Sequence, residues 1–223
     1  MLLVKPSAEI LAVSLDALQL IEAAGRTCYK SEDKINDTSA PAFAAMILKR
    51  GHESVIEHAT ATVRFVCDRG VTHEIVRHRL ASYSQESTRY CDYNGGHVAF
   101  VIPPWCRFLP GESYSCTDDA ALNTLTETAD PESFWLYSMQ LAENNYKKLR
   151  ELGWRPEQAR SVLPNSLKTE IVMTANLREW RHFFKLRTSA AAHPQMREVA
   201  IPLLAAMKER VPVIFDGLVQ EYL

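Results

Sequence analysis

The clearest periodicity along the chain is an alternation between Ala59 and Asp68. Ala61, Val63, Phe65 and Cys67 fall on one side, and Thr62, Arg64 and Val66 on the other. Successive side chains of a strand point to opposite faces, so this segment reads as a β-strand with one mostly apolar face. The first residues read as a short strand as well. Ser14 to Tyr29 reads as an amphipathic helix, with Leu15, Leu18, Ile21 and Glu22 around its turns and Ser14 as the N-cap. The polar stretch from Lys30 to Asp37 reads as a loop. Helix resumes after Thr38-Ser-Ala-Pro41 and stops at Gly51, a residue suited to the position just past a helix end.

Further along, Gly70 to Leu80 reads as a short helix, and Ser82 to Tyr90 as a polar run without apolar periodicity. His97 to Ile102 is apolar and β-branched enough for a strand, ended by Pro103-Pro104. Pro110 to Asp130 carries no pattern and reads as a mobile loop. Asp130-Pro131 is a helix start with proline in the first turn, and that helix runs to Gly153, with Phe134, Leu141, Tyr146 and Leu149 expected to be buried. A short helix follows Pro156 and is closed by Pro164. Thr169 to Ala175 reads as a strand, Leu177 to Leu186 as a helix capped by Asn176, and Gln195 to Arg210 as a helix with a kink at Pro202. No repeat or linker interrupts the pattern. The mixture predicts an α/β (α+β) fold in a single domain over residues 1–223.

Composition narrows the functional classes. The chain has 223 residues, 47% hydrophobic and 23% charged, which is a globular composition and excludes disordered and collagen-like classes. Its net charge is -2, whereas proteins that live on bulk nucleic acid carry a positive excess. No apolar run approaches bilayer-spanning length, and the apolar part of Met1-Leu-Leu-Val-Lys-Pro6 is too short for a signal peptide, so a cytoplasmic location without membrane association is expected. Five cysteines, Cys28, Cys67, Cys91, Cys106 and Cys116, show no C-x2-C pairing and read as free thiols in a reducing compartment, neither a disulfide framework nor a structural zinc site.

The basic residues are unevenly chosen. Sixteen of the 25 are arginine, and no lysine occurs between Lys49 and Lys147, a stretch holding Arg64, Arg69, Arg77, Arg79, Arg89 and Arg107. Arginine is favoured where a planar fork must grip carboxylate or phosphate. The densest spot is Arg77-His78-Arg79-Leu-Ala-Ser-Tyr-Ser-Gln-Glu-Ser87-Thr-Arg89-Tyr90. Placed on a helix, Arg77 and Arg79 would diverge by about 200° and hold different partners. The polar run that follows offers hydroxyls, an amide and backbone N–H groups suited to a phosphate or a pyrimidine edge. Upstream, Gly51-His52-Glu53-Ser54-Val-Ile-Glu57-His58 adds further polar groups.

Metal chemistry fits poorly. His73-Glu74-Ile-Val-Arg-His78 is one residue longer than H-E-x-x-H, and a spacing of five sets the imidazoles about 140° apart on a helix. His52 and His58 read as structural histidines, so no metal is expected.

Arg77-His78-Arg79, seven residues and Ser87 match the R-H-R-x7-S signature of flavin-dependent thymidylate synthases, and the chain resembles that family from end to end. Gly51-His52-Glu53-Ser54 with Glu57-His58 resembles the family's upstream G-H-E-[ST] box. Ala159-Arg160-Ser-Val-Leu-Pro164, Asn176-Leu177-Arg178 and Leu186-Arg187 resemble its downstream motifs.

The resemblance implies an α/β domain with a mixed sheet and flanking helices, working as a homotetramer with sites shared between subunits. It implies methylation of dUMP to dTMP, with methylenetetrahydrofolate as carbon donor, FAD as bound cofactor and NADPH as reductant. By the same resemblance, Ser54, Arg77, His78, Arg79, Asn176, Leu177, Arg178 and His182 would bind FAD. Glu74, Arg77, Gln85, Glu86, Ser87, Thr88, Arg89, Arg160 and Arg187 would bind dUMP. Arg187 would be catalytic, a cation favouring the N3 anion of uracil and so raising electron density at C5. Ser87 has no base and orienting group beside it in sequence and reads as a substrate ligand rather than a nucleophile. No cysteine falls in a family motif. Two positions depart from relatives: Glu74 stands where some carry Gln, and would turn to an arginine or act through its backbone; Cys28 stands where a small hydroxyl residue is common. Two alternatives remain at this point. One is a single-stranded nucleic-acid binder using the arginine cluster with Tyr83, Tyr90 and Tyr93 as stacking platforms. The other is a flavoprotein without thymidylate activity.

Overall fold

A computed structural model describes residues 1–111 and 130–218. The element order is β1 (Leu2–Val4), β2 (Ser7–Val13), α1 (Ala17–Tyr29), α2 (Ser39–Lys49), β3 (Thr60–Asp68), α3 (Arg69–Ile75), β4 (Ala81–Gln85), β5 (Ala99–Val101), α4 (Pro131–Glu151), α5 (Pro156–Ala159), β6 (Lys168–Asn176), α6 (Leu177–Arg187) and α7 (Pro194–Arg210). Short 3-10 turns occupy Glu32–Lys34, Glu53–His58 and Arg160–Val162. The mobile loop expected at Pro110 to Asp130 falls almost wholly on 112–129, which lie outside the described residues, as does Cys116. No helix among the described residues is long and apolar enough to cross a membrane.

The chain gathers into two compact units. Unit 1 comprises Met1–Pro6, Val66–His73 and Gln85–Glu170; unit 2 comprises Ser7–Phe65, Glu74–Ser84 and Ile171–Leu223. Because these segments interleave, no single cut in the sequence separates them. In unit 1, β1 and β5 pair in parallel with Leu3 opposite Phe100. Met1, Leu3, Val98, Phe100, Ile102, Met139, Ala142, Tyr146, Ala159 and Leu167 form its core. Glu143 is buried in that core and tolerated because its carboxylate accepts from the Val98 N–H at 3.0 Å and pairs with Lys147 at 2.8 Å. Despite burial, these partners hold its pKa below the ordinary carboxylate value.

Unit 2 is built on most of a four-stranded sheet in the order β2-β3-β6-β4. The buried face of β3 presents Ala61, Val63 and Phe65, as the alternation predicts. Helix α6 packs there through Trp180, Phe183 and Phe184, whose rings stack or meet edge-on with Phe65 and Phe215. The Trp180 indole N–H donates to the Ala61 carbonyl at 3.1 Å, so the bulkiest side chain is fixed in position as well as buried. Helix α2 ends as expected. Gly51 takes φ 72°, and the N–H groups of Gly51 and His52 reach back to Leu48 and Ile47.

Several expectations need correction. The strand β2 lies where no element was read, and α1 starts three residues after Ser14, with Asp16 in the cap position. Leu15 is 87% exposed, because it precedes the helix and no longer shares its face. Helix α2 starts at Ser39, taking Pro41 into its first turn. Helix α4 starts at Pro131, with the Asp130 carboxylate accepting from the N–H groups of Glu132 and Ser133. It buries Met139, Ala142 and Tyr146, while Phe134 and Leu141 are exposed. Most consequentially, α3 ends at Ile75, so Arg77-His78-Arg79 sits in a turn and not on a helix, and part of the polar run after it is the strand β4. The 200° divergence expected for Arg77 and Arg79 therefore does not apply.

Helices α1 and α2 pack closely at Gly25, where a Cβ would lie 2.5 Å from Cζ of the buried Phe43 and 3.1 Å from Val55. Gly25→Val should lower stability by roughly 1–3 kcal/mol, the usual cost of overpacking. Gly96→Ala, at a glycine with nothing within 4 Å, should change it by less than about 0.5 kcal/mol in the same urea denaturation experiment.

Candidate active site

The turn that carries Arg77, His78 and Arg79 is held from its backbone. Arg77 N–H bonds the Glu74 carbonyl at 3.2 Å and His78 N–H the Ile75 carbonyl at 3.1 Å, which closes α3. The Tyr83 hydroxyl, on β4, reaches the carbonyls of both Ile75 (2.9 Å) and His78 (2.6 Å). Burial, with the Glu179 carboxylate adding to it, pushes the Tyr83 pKa up to about 12, so the hydroxyl stays a donor. The result is one inward side chain between two outward ones: His78 is buried, while Arg77 and Arg79 are exposed and have no partner among the described residues.

His78 is the centre of a linear relay. Its Nδ1 lies 2.8 Å from a Glu179 carboxylate oxygen, and its Nε2 receives the Arg187 Nε–H at 3.1 Å. A guanidinium N–H can only donate, so Nε2 must be the unprotonated nitrogen. Nδ1 then carries the proton and donates it to Glu179, and the ring is neutral. Burial lowers the His78 pKa below 6.5; the Glu179 hydrogen bond pulls it up, and the Arg187 cation pushes it down again. The remaining Arg187 nitrogens are spent on Glu74, with Nη1 donating to its carboxylate at 2.7 Å and Nη2 to its carbonyl at 2.9 Å. Glu74 thus turns its charge to an arginine and receives that arginine on its backbone as well. The His182 ring lies edge-on to His78 at 5.5 Å.

Ligand atoms of His78, Glu179 and His182 lie within 4.8 Å of one another, the spacing of a metal site. Both His78 nitrogens are already occupied, one by a proton and one by Arg187, so this ring offers no lone pair to an ion and the trio is not a metal centre.

Beside the relay is a cavity of about 400 Å³, lined by Glu53, Glu57, Leu80, Asn176, Arg178, Glu179, Arg181, His182 and Lys185. Two carboxylates of the 53–58 turn organise it. Glu57 pairs with Arg178 at 2.5 Å, and Glu53 with Arg181 at 3.3 Å. Asn176 Oδ1 caps α6 by accepting from the Glu179 N–H at 2.9 Å, leaving its amide N–H2 group as the part open to a ligand. Ser54 is exposed on the same turn as Glu53 and Glu57. Leu177 is fully buried and its N–H is bonded to the Ala59 carbonyl, so it supports the cavity wall without lining it.

The remaining expected substrate residues lie in unit 1, and their side chains divide into two groups. Gln85 Nε2 donates to the hydroxyls of Thr72 (3.1 Å) and Thr169 (3.3 Å). Glu86 accepts from the Tyr93 hydroxyl (2.7 Å) and from Lys168 (3.1 Å). Both therefore anchor the loop to its own unit. Ser87 accepts a long 3.4 Å bond from the Arg89 N–H; Thr88 accepts from Arg160 Nη1 at 3.0 Å; the Arg89 guanidinium lies over the Tyr90 ring at 5.3 Å. A second cavity of about 410 Å³ opens beside Thr88 and Arg160. Of the three tyrosines considered as base-stacking platforms, Tyr83 and Tyr93 are tied down by hydrogen bonds, and Tyr90 alone is well exposed.

Sequence reasoning places Glu53 and Glu57 in the upstream box without a role and Tyr83 only as a stacking platform, and it misses Glu179 and Arg181. Asn176-x-x-Glu179 has the form of a helix-capping motif, but no sequence signal joins Glu179 to a histidine 101 positions away.

The family model described as thymidylate synthase complementing protein matches residues 9–213. The chain is 37% identical over 207 residues to a flavin-dependent thymidylate synthase of Corynebacterium aurimucosum, covering 88% of this chain and 78% of that protein. It is 33% identical to the protein of that name in Geobacter sulfurreducens, covering 87% and 79%. Among solved structures, the UMP/dUMP methylase PolB from Streptomyces cacaoi, bound with 5-Br dUMP, superposes with a TM-score of 0.72 at 26% identity over 97% of this chain and 96% of that one. Thymidylate synthase X from Helicobacter pylori, with FAD and dUMP, has the same fold, with a TM-score of 0.75 at 23% identity over 97% and 100%.

The relay makes a prediction about pH. With its folded pKa below the ordinary 6.5, His78 binds a proton in the unfolded chain before it does so in the native one. Its contribution to stability is therefore whole above about pH 6.5 and shrinks as pH falls below it, by up to about 1.4 kcal/mol per pH unit. Urea midpoints from pH 7.5 down to pH 5 should fall less steeply for His78→Gln than for the parent. Long-range ¹⁵N correlation spectra at pH 7.5 should show a neutral His78 protonated at Nδ1; a ring protonated at Nε2 would contradict the relay.

Proposed function

The chain belongs to the flavin-dependent thymidylate synthase family, and we propose that it forms dTMP by reductive methylation of dUMP. The observation that carries the proposal is the grip on Arg187, whose guanidinium is held beside His78 with its Nη1 on an anionic oxygen of Glu74. Uracil deprotonated at N3 is also an anion of hydrogen-bonding size, and could take the place of the Glu74 carboxylate at that nitrogen. A cation fixed in advance stabilises that anion without reorganising, and the charge placed in the ring raises electron density at C5, where the new carbon is attached.

FAD, when bound, supplies the redox capacity that a reductive methylation needs and that no side chain has. The residues fit part of such a dinucleotide. Arg77 and Arg79, exposed and without a partner among the described residues, offer donors to phosphate oxygens, and the cavity in the same unit presents Asn176, Arg178 and His182. His78 would donate no proton outward, since its Nδ1–H is spent on Glu179; its part is to seat Arg187. Arg89, Ser87, Thr88 and Arg160 would hold the dUMP phosphate, while Gln85 and Glu86 keep their loop in shape. The proposal extends to NADPH as reductant and methylenetetrahydrofolate as carbon donor, and to a cytoplasmic homotetramer with sites shared between subunits; these rest on the family resemblance.

The direct test is an absorption spectrum of the purified protein, followed by a dTMP assay with dUMP, methylenetetrahydrofolate and NADPH. A flavin spectrum with dTMP formed is the expected result. A protein that cannot be loaded with FAD, or that holds FAD and makes no dTMP, would sink the proposal. Arg187→Ala should lower dTMP formation by about 10²–10³-fold, the scale for losing one preorganised charge partner, while bound flavin is retained. Undiminished turnover would remove Arg187 from the chemistry.

A further inference from the structure

The chain contains one Asn-Gly step, Asn94-Gly95, outside every motif of the candidate site. It lies in an exposed turn of unit 1, between two anchored points. On the near side the Arg150 fork fixes Asp92, with Nε donating to Oδ1 at 3.1 Å and Nη2 to Oδ2 at 2.7 Å, and the Tyr146 hydroxyl adds a bond at 3.1 Å. Tyr93 follows, with its N–H on the Tyr146 hydroxyl oxygen at 3.4 Å and its own hydroxyl on Glu86 at 2.7 Å. The Asn94 N–H donates to Asp92 Oδ1 at 3.1 Å. On the far side Val98 is buried, its N–H on Glu143 at 3.0 Å and its carbonyl accepting from the Leu2 N–H at 2.9 Å.

Between these anchors, two groups able to react with each other are both unengaged. Neither the Asn94 carboxamide nor the Gly95 N–H has a hydrogen-bond partner among the described residues. Asn94, Gly95 and Gly96 are exposed, and a Cβ at either glycine would meet nothing within 4 Å. Without a Cβ, Gly95 puts no bulk in the way of its own nitrogen turning towards the Asn94 side chain. Other asparagines are protected. Asn36 Oδ1 accepts from the N–H and the hydroxyl of Thr38, both at 3.1 Å. Asn144 and Asn145 lie inside α4, where the following N–H is committed to the helix. Asn176 caps α6, and the N–H of Leu177 after it is bonded to the Ala59 carbonyl.

We propose that Asn94 is a site of spontaneous covalent modification, in which the Gly95 main-chain nitrogen displaces the side-chain amide and the products release the Asp92–Tyr93 anchor. In the first step the Gly95 nitrogen gives its proton to a solvent base and bonds to Asn94 Cγ. The Cγ–Nδ2 bond breaks, and that nitrogen takes up a proton and leaves as ammonia. The product is a five-membered succinimide, with no electron gained or lost. Because the attack is intramolecular, it needs no second molecule to be held in place. Water then opens the ring. Addition at Cγ restores the main chain with an aspartate at position 94; addition at the α-carbonyl routes the main chain through Cγ as an isoaspartate. Either product adds a negative charge two residues from Asp92 that competes for Arg150, and isoaspartate also lengthens the main chain by one carbon. Nothing in this depends on dUMP or on flavin.

The test incubates the parent, Gly95→Ala and Asn94→Ser at pH 6 and pH 8.5 and follows tryptic peptides by mass spectrometry, with urea midpoints taken before and after. The parent peptide Tyr90–Arg107 should gain the mass difference between a carboxyl and a carboxamide, as a mixture of aspartate and isoaspartate, and faster at pH 8.5, where the attacking nitrogen loses its proton more readily. Neither Gly95 nor Gly96 takes a positive φ, so Gly95→Ala should start from the parent's midpoint, yet its methyl group should leave the peptide mass unchanged over the time in which the parent converts. Asn94→Ser, which has no carboxamide, should stay unchanged as well. The incubated parent should lose urea midpoint while both variants keep theirs. Conversion at Asn94 no faster than at the exposed Asn165 would overturn the proposal, as would equal conversion in Gly95→Ala. Full conversion with an unchanged midpoint would also overturn it, because the anchor would then have survived.

Discussion

Each of the three guanidinium nitrogens of Arg187 donates a hydrogen bond, and one short segment of chain accepts all three. Its Nη1 and Nη2 go to the side chain and the carbonyl of Glu74, and its Nε to the ring of His78. This requirement constrains much of unit 2. For Nε2 of His78 to accept, the ring must be neutral and protonated at Nδ1, and for that proton to be satisfied in a buried place Glu179 must stand behind it. For Glu179 to stand there, α6 must begin where Asn176 caps it and must lie against β3, where Trp180 and the phenylalanines lock it. For the carbonyl of Glu74 to be free to accept from Arg187 as well as from Arg77, α3 must end at Ile75, and Tyr83 secures that ending. Charge complementarity, tautomer, cap and core packing are parts of one arrangement.

The two units deal with ionic groups in different ways. In unit 2 Arg187 is set between the Glu74 carboxylate and a neutral His78 whose proton goes to Glu179, and Glu53 faces Arg181, whose buried Nε has no hydrogen-bond partner among the described residues. Pairing of this kind offsets part of the cost of taking such charges out of water. Unit 1 pairs Glu86 with Lys168 and Glu143 with Lys147, and a shielded nitrogen of Arg69 has no acceptor among the described residues. The balanced set presents a seated cation next to the histidine that orients it.

Local sequence was informative wherever one rule acted alone. The alternation of β3, Asn176 as the cap of α6, the Asp130-Pro131 start of α4 and Gly51 at the end of α2 are set by side chains close in sequence, and all are found in the structure. It misled wherever distant partners outweighed local preference. Gly70 to Leu80 has no helix-breaking residue at its centre, but the carbonyls near Ile75 find a better partner in Tyr83, and the helix stops. Ser82-Tyr-Ser-Gln lacks apolar alternation, but it pairs in a sheet whose other strands supply the hydrogen bonds. Phe134 and Leu141 fit a helical stripe, but the core of unit 1 meets α4 on the face of Met139, Ala142 and Tyr146 instead.

The sequence by itself determined the mixed α/β character, the family, and the set of arginines, histidines and polar residues from which a site could be made, because these depend on residue type, order and spacing. Tertiary structure decided what each of them does. It turned Gln85 and Glu86 into anchors for their loop, sent Glu74 to Arg187, made Glu179 the acceptor that fixes the protonation of His78, and buried a nitrogen of Arg69 in a cavity. Those assignments depend on distance, burial and the direction of single N–H bonds. Such quantities exist only when residues about a hundred positions apart, as His78 and Glu179 are, are brought within 3 Å by the packing of the whole unit.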